Sequence, residues 1–236
     1  IIFGVKGYRL TNKEKRLFRK TKPWGIILFS RNIKDILQLK ILVDDIKKIL
    51  GKKYPILIDQ EGGKVSRLNK IIDLRVFSQN FFGEFYNNDK KLFYSFYKIY
   101  VDKVCDVLKT VGININTAPV LDVRRKKSHA IIGSRSFSHN PNNVSKLGKL
   151  CIDLYKRNGI ATVVKHIPGH GLSKFDSHFK TPIIKNYGKD LFKKDFKPFK
   201  DCKSQFAMTA HIVYSKYDNY NTATHSKIII NKIIRN

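Results

Sequence analysis

Short and nearly unbroken apolar runs recur along the chain at residues 1–5, 25–29, 55–59, 113–118, 161–165 and 206–211. A strand with one face in water alternates apolar and polar residues. A continuous run predicts a strand covered on both faces, as in a parallel sheet. Between the runs the period changes to that of amphipathic helices. Residues 36–50 set Leu39, Leu42, Val43, Ile46, Ile49 and Leu50 on one stripe. Residues 91–111 do the same with Phe93, Tyr97, Tyr100, Val104, Leu108 and Val111, and Gly112 supplies a stop. Asn140-Pro141 opens a helix over 144–158 that Gly159 closes; helices over 189–202 and 226–234 follow.

Strand and helix therefore alternate as six βα units, which predicts an α/β fold with a parallel sheet and helical crossovers. A doubly wound sheet and a barrel both satisfy the alternation, and the placement of polar residues separates them. Asp59 ends the third run, Asp122 follows the fourth, Lys165 and His166 end the fifth, and His211 ends the sixth. Chemistry at so many successive strand ends suits the mouth of a TIM-type (β/α)8 barrel better than one crevice. No Gly-x-Gly-x-x-Gly follows the first run, which weakens a dinucleotide-binding reading. A complete barrel needs eight strands, so residues 1–236 are expected to form one barrel domain holding the first six units, with its last two absent.

The formal charge of +29 invites a nucleic-acid partner, but 47 basic residues are spread over nearly every helix and loop rather than gathered in a stripe. No specific nucleic-acid function is expected. No run of eighteen apolar residues spans a membrane, and the opening Ile-Ile-Phe-Gly-Val is too short for a signal peptide. Cys105, Cys151 and Cys202 are odd in number and widely spaced, which predicts reduced residues in a cytoplasmic protein, expected to be a monomer.

Candidate chemistry concentrates in Lys165-His-Ile-Pro-Gly-His-Gly-Leu-Ser-Lys-Phe-Asp-Ser-His178, a Gly/Pro loop at the end of the fifth run. Asp176 and His178 stand two positions apart, on one side of an extended segment, so the carboxylate can orient the imidazole for acid/base work. Two other readings stay open on the residues alone. His166, His170, His178 and His211 could ligate a metal, although their spacing matches no zinc signature, or the histidines could simply satisfy backbone groups.

Taken in order, Gly25-Ile-Ile-Leu-Phe-Ser-Arg-Asn32, Ile58-Asp-Gln-Glu-Gly-Gly-Lys-Val-Ser-Arg-Leu68, Ala118-Pro-Val-Leu-Asp-Val123, Ile132-Gly-Ser-Arg-Ser-Phe137, the 165–178 segment and Met208-Thr-Ala-His211 give the chain a collinear resemblance to glycoside hydrolase family 3. It is most similar to the bacterial NagZ-type β-N-acetylglucosaminidases of peptidoglycan recycling. The resemblance implies a retaining exo-glycosidase acting on N-acetylglucosaminyl muropeptides, without cofactor or metal. It assigns the acid/base role to His178 with Asp176 as partner, and sugar binding to Asp59, Arg67, Arg135, Lys165 and His166. Asn32, Asn116, Asp122, His170 and His211 are expected to support them, and Gly62-Gly63 to make a tight turn. The residues themselves also allow Asp59 and Lys165 merely to pair with each other, and the two arginines merely to cap loops.

Departures from the family pattern fall at Ser134, Ile167 and Leu172, where the family usually carries aspartate, phenylalanine and aspartate. The larger one is the nucleophile, an aspartate in a Ser-Asp-Asp-like motif after the seventh strand. No such motif occurs here, and Asp218, the one acidic residue after His211, lies in a polar loop with no strand before it. A β-glucosidase-type specificity and a non-catalytic sugar-binding remnant are the alternatives, and phosphate in place of water as acceptor is left open.

Overall fold

The computed structural model describes residues 1–125, 131–173, 181–185 and 188–235. Six parallel strands lie in chain order: β1 (Ile2–Gly4), β2 (Gly25–Leu28), β3 (Ile56–Ile58), β4 (Ile115–Asn116), β5 (Ala161–Ile167) and, skipping a short β6 (Ile183–Ile184), β7 (Phe206–Thr209). β6 pairs in parallel with β8 (Val213–Tyr214) as a separate two-stranded piece. Register is set by apolar neighbours: Ile26 faces Ile56, Leu28 faces Ile58, and Val163 faces Phe206.

The unbroken apolar runs are explained by two different coverings. Ile26, Leu28, Ile56, Ile58 and Val164 point outward into the main core with the helices. The alternate residues Ile27, Leu57, Ile115 and Val163 point inward with Phe206 as a smaller cluster. Trp24 meets Phe206 edge-on at 5.3 Å, bringing the starts of β2 and β7 together across the inner face. The sheet therefore curves as part of a barrel, with β1 and β7 as its edges.

Helix α1 (Asn12–Thr21) was not legible from periodicity because it buries one apolar residue, Phe18. Its start is fixed by a capping box in which the Thr11 side chain accepts from the Glu14 amide and Glu14 answers the Thr11 amide. In α2 (Ile36–Leu50), Asp35 caps the first turn and Leu39, Leu42, Val43 and Ile46 are buried, each contributing roughly 1.5–3 kcal/mol. Helices α3 (Gln79–Asn88) and α4 (Lys90–Val111) are capped by Ser78 and Asp89 and share an aromatic layer. In it Phe82 packs 4.7 Å from both Tyr97 and Tyr100. Helix α5 (Pro141–Arg157) starts at Asn140 with Pro141 in its first turn, as expected.

The expected helix over 189–202 is instead broken. A short turn at Gly188–Asp190 widens into a π-helical stretch, Leu191–Asp195, before Lys197–Asp201 resumes with Pro198 in its first turn. Proline has no N–H to continue the preceding ladder, so the winding must change there. The final helix also starts tight at Lys227–Ile229 and widens over Ile230–Ile234. Among the described residues no helix is long and apolar enough to cross a membrane. Cys105, Cys151 and Cys202 are buried free thiols, each pushed up to about 12 by burial.

Candidate active site

The loop leaving β3 is shaped by one side chain. Gln60 Oε1 accepts from the amides of Arg67 at 2.8 Å and Leu68 at 3.1 Å, folding the chain back on itself. Asn116 on β4 holds Gln60 in turn, accepting from its amide at 3.0 Å and donating to its carbonyl at 2.8 Å. The turn between needs glycine: Gly62 has φ 90°, and a Cβ there would stand 2.2 Å from the Phe77 carbonyl oxygen. The fold-back returns Arg67 to Asp59, with Nη2 3.1 Å from Oδ2.

Asp59 thus opens a chain of buried charge. Lys165, only 1% exposed at the end of β5, reaches the Asp59 carboxylate, which also accepts from the Thr117 hydroxyl. The same Nζ lies 2.5 Å from Glu61 Oε1. Glu61 then receives Arg135 in a two-pronged contact, Nε to Oε2 and Nη2 to Oε1, both at 2.8 Å. Burial works against the charged carboxylate at Asp59, but Lys165, Thr117 and Arg67 outweigh it and hold the group far below the usual range. Glu61 behaves alike: burial raises it, Lys165 and Arg135 lower it further. Both carboxylates are ionised, and each cation in the row has a counter-charge.

A second carboxylate organises the histidines. Asp122, fully buried after β4, accepts the His170 amide at 2.6 Å and lies 2.7 Å from His166 Nδ1. Burial raises its carboxyl, while His166 and His170 more than offset that. The His166 and His170 rings meet edge-on at 5.5 Å. Burial depresses His170, only partly countered by Asp122, so its ring is neutral near pH 7. Arg135, His166, His170 and His211 line a cleft of about 190 Å³ whose apolar side is Ile131, Ile132 and Met208.

Of the residues singled out in the sequence, Asp59, Arg67, Arg135, Lys165 and His166 converge at the C-terminal ends of β3 to β5. Asp176 and His178 lie outside the described residues. Asn32 supports a neighbouring loop: its side chain donates to the Val5 and Gly7 carbonyls and accepts from the Phe29 amide. His211 stands at the cleft rim, 5.6 Å from His225. Glu61 was missed, although it sits two positions after Asp59 and so shares its side of an extended strand. Thr117, at the end of β4, was missed too. Among the described residues no group of three histidine, cysteine or acidic side chains is placed to hold a metal ion.

Residues 4–236 match the glycosyl hydrolase family 3 N terminal domain. A beta-hexosaminidase of Psychromonas ingrahamii is 34% identical over 224 residues, and one of Actinobacillus pleuropneumoniae is 30% identical over 240. The alignments take in 92% and 100% of this chain, and the chain spans 64% and 68% of those relatives' lengths. The crystal structure of NagZ from Neisseria gonorrhoeae in complex with N-trifluoroacetyl-D-glucosamine superposes with a TM-score of 0.90 at 30% identity, covering all of this chain and 69% of that one. An open parallel (β/α) barrel, charged side chains gathered at its strand ends and a family match over almost the whole length lead to one assignment: this chain belongs to glycosyl hydrolase family 3 and matches its N-terminal domain.

Proposed function

We propose that the cleft binds a terminal β-linked N-acetylglucosamine and belongs to a retaining exo-glycosidase acting on peptidoglycan-derived muropeptides in the cytoplasm. The observation that carries this reading is the convergence of Asp59, Arg67, Lys165, Arg135 and His166 on one strand-end mouth. Sugar hydroxyls need acceptors, which Asp59 offers; hydroxyl and acetamido oxygens need donors, which the Lys165 ammonium and the arginine guanidinium groups offer. His166, whose Nδ1 stands 2.7 Å from the Asp122 carboxylate, is held against the cleft it lines. A relative this similar in structure is in complex with an N-acylated glucosamine, which supports the acetamido side of the assignment.

The acid/base role falls to His178 with Asp176, on the resemblance of their segment to the family's. Protonating the leaving oxygen and then deprotonating water asks for a group whose pKa lies near neutrality, and an imidazole held by a carboxylate meets that need. A retaining mechanism also requires a carboxylate across the scissile bond. The 236 residues hold no Ser-Asp-Asp sequence. The reading therefore expects sugar binding from this chain and turnover only when that carboxylate is supplied.

The second reading is a sugar-binding domain without catalysis. Two measurements decide. Calorimetry on the 236-residue protein should detect N-acetylglucosamine but much weaker glucose, and Asp59→Asn should abolish the signal; equal affinity for glucose would favour a β-glucosidase-type pocket. The same residues joined to the final third of a beta-hexosaminidase relative should hydrolyse an aryl N-acetylglucosaminide, with His178→Ala slowing it by roughly 10²–10⁴-fold. A joined protein that binds the sugar but never turns over would support the non-catalytic reading.

A further inference from the structure

One more arginine stands on the same strand-end mouth, beside the residues read as binding the sugar. Backbone alternation puts its surroundings there. Ile27 and Leu57 are register partners that share the inner face of the sheet. Phe29, on extended backbone, and Asp59 lie two positions further along their chains and so share that face at its C-terminal end. Gly4, paired with Ile27 at the end of β1, belongs to it as well. The Arg31 guanidinium is laid across this corner. A Cβ on Gly4 would stand 3.2 Å from its Nη2, and its Cζ lies 4.7 Å from the Phe29 ring centroid. Its Nε donates to the Val5 carbonyl at 3.1 Å. The Arg67 guanidinium, held by Asp59, lies 5.8 Å from the same ring centroid. Phe29 thus joins Arg31 to the row of charges around Asp59.

The cations of that row are matched: Arg67 and Lys165 by Asp59, Lys165 and Arg135 by Glu61. Arg31 is exposed, and among the described residues no carboxylate pairs with it. With Nε engaged by Val5, its terminal Nη1 and Nη2 remain, a fork that can take both oxygens of a carboxylate. The aromatic ring beside the guanidinium attracts it without neutralising its charge. The Val5 bond and the ring also hold the side chain in place, so an arriving anion has little rotamer entropy to remove. A single terminal sugar fills the cleft of an exo-acting enzyme, and whatever is linked to that sugar has to leave across the rim. We propose that Arg31 is a subsite for a carboxylate borne by the group linked to the terminal N-acetylglucosamine. In a muropeptide that carboxylate comes from the lactyl group of the second sugar or from the peptide attached to it. This inference rests on the reading of the cleft as an N-acetylglucosamine site.

The test is calorimetry on the 236-residue protein with N-acetylglucosamine and with disaccharides that differ in charge. N,N'-diacetylchitobiose is neutral. N-acetylglucosaminyl-N-acetylmuramic acid carries the lactyl carboxylate, and its L-alanyl-D-glutamyl amide carries carboxylates on the peptide alone. At least one acidic ligand should bind about fivefold tighter than the neutral one, and which of them does so names the source. Arg31→Gln should remove that preference while affinity for N-acetylglucosamine itself holds. Arg31→Lys, which keeps the charge without the fork, should retain only part of the preference. Equal affinity for the neutral and both acidic disaccharides in the wild type overturns the proposal. So does a preference that survives Arg31→Gln, for it then belongs to the overall charge of +29. Should Arg31→Gln fail to fold, an undiminished preference in Arg31→Lys overturns it and a diminished one supports it. The cleft reading fails by a different result: N-acetylglucosamine itself gives no signal, and the proposal falls with it.

Discussion

Replacing Glu61 by glutamine tests whether one buried carboxylate holds Lys165 and Arg135 in place at the strand ends. The Glu61 side chain is 1% exposed; Oε1 takes Lys165 at 2.5 Å and Arg135 Nη2 at 2.8 Å, and Oε2 takes Arg135 Nε at 2.8 Å. Glutamine keeps the shape and one acceptor oxygen but turns an NH2 group toward a cation. At least one of the three contacts then sets donor against donor. Hydrogen bonds to charged groups contribute roughly 1.5–3 kcal/mol each, and breaking a buried pair from one side costs about 3–5 kcal/mol. The lower end, about 3 kcal/mol, is expected because Lys165 keeps Asp59 as its counter-charge. That is a shift of roughly 100-fold in the folding equilibrium.

Urea unfolding with an unchanged slope measures the stability loss. Calorimetry with N-acetylglucosamine reads the second consequence, an affinity lowered about tenfold or more as Arg135 loses its fixed fork. The effect has a sign in pH. Glu61 is held below the usual carboxylate range, so its contribution is present above that range and fades as pH falls through the folded value. The gap between wild type and Glu61→Gln should therefore close on acidification. Asp73→Asn is the control: its pair with Arg75 is exposed, and neither readout should change. A Glu61→Gln protein with the wild-type urea midpoint and the wild-type affinity would refute the reasoning.

Asp195 should behave in the opposite sense to Glu61. Burial raises its carboxyl from 3.8 to about 6 in spite of Arg125, so stability falls as pH rises through that window, and the advantage of wild type over Asp195→Asn should shrink by about 3 kcal/mol between about pH 4 and about pH 6. A gap constant over that range would contradict it. Gly62→Ala, at φ 90° and 2.2 Å from a carbonyl oxygen, should lower stability by about 3 kcal/mol or prevent folding, whereas Gly7→Ala, with nothing within 4 Å, should be tolerated; equal urea midpoints would refute this. Retention on a polyanion column should collapse with added salt because the charge of +29 acts without sequence preference, while N-acetylglucosamine affinity should barely respond.

The parallel strands were legible because their residues are apolar on both faces, one toward the helices and one toward the barrel interior. The start of α5 at Asn140-Pro141 was equally local. What could not be read depends on partners far along the chain. α1 buries Phe18 and little else, so it has no stripe to detect. β6 and β8 are two residues each and gain their pairing from packing rather than pattern. In the site, polar residues at the ends of apolar runs announced Asp59, Lys165 and His166, since a strand end at a barrel mouth is where such groups meet substrate. Glu61 carried a weaker signal, its parity with Asp59. Its role exists only through Lys165 and Arg135, the latter 74 residues further on.

Whether Asp59 and Lys165 pair with each other or bind sugar was posed by the sequence as a choice, but the pairing seen here does not exhaust Asp59. An ionised carboxylate has about four lone-pair positions. Among the described residues, Lys165 and Thr117 occupy Oδ1 and Arg67 occupies Oδ2. One acceptor position therefore remains, on a side chain that is 18% exposed. Its neighbours also keep the carboxylate ionised and stationary, so a hydroxyl arriving there meets an acceptor already aimed, with little rotamer entropy left to lose. Lys165 is in the same condition, fixed by Asp59 and Glu61 yet carrying the charge that a sugar oxygen would meet. In the proposed reading, pairing is what makes the cleft rigid enough to discriminate one sugar from another. On this argument Lys165→Met, which removes the ammonium at similar length, should weaken N-acetylglucosamine more than the loss of a single contact would suggest, because Asp59 and Glu61 are then left as two buried carboxylates without their shared cation.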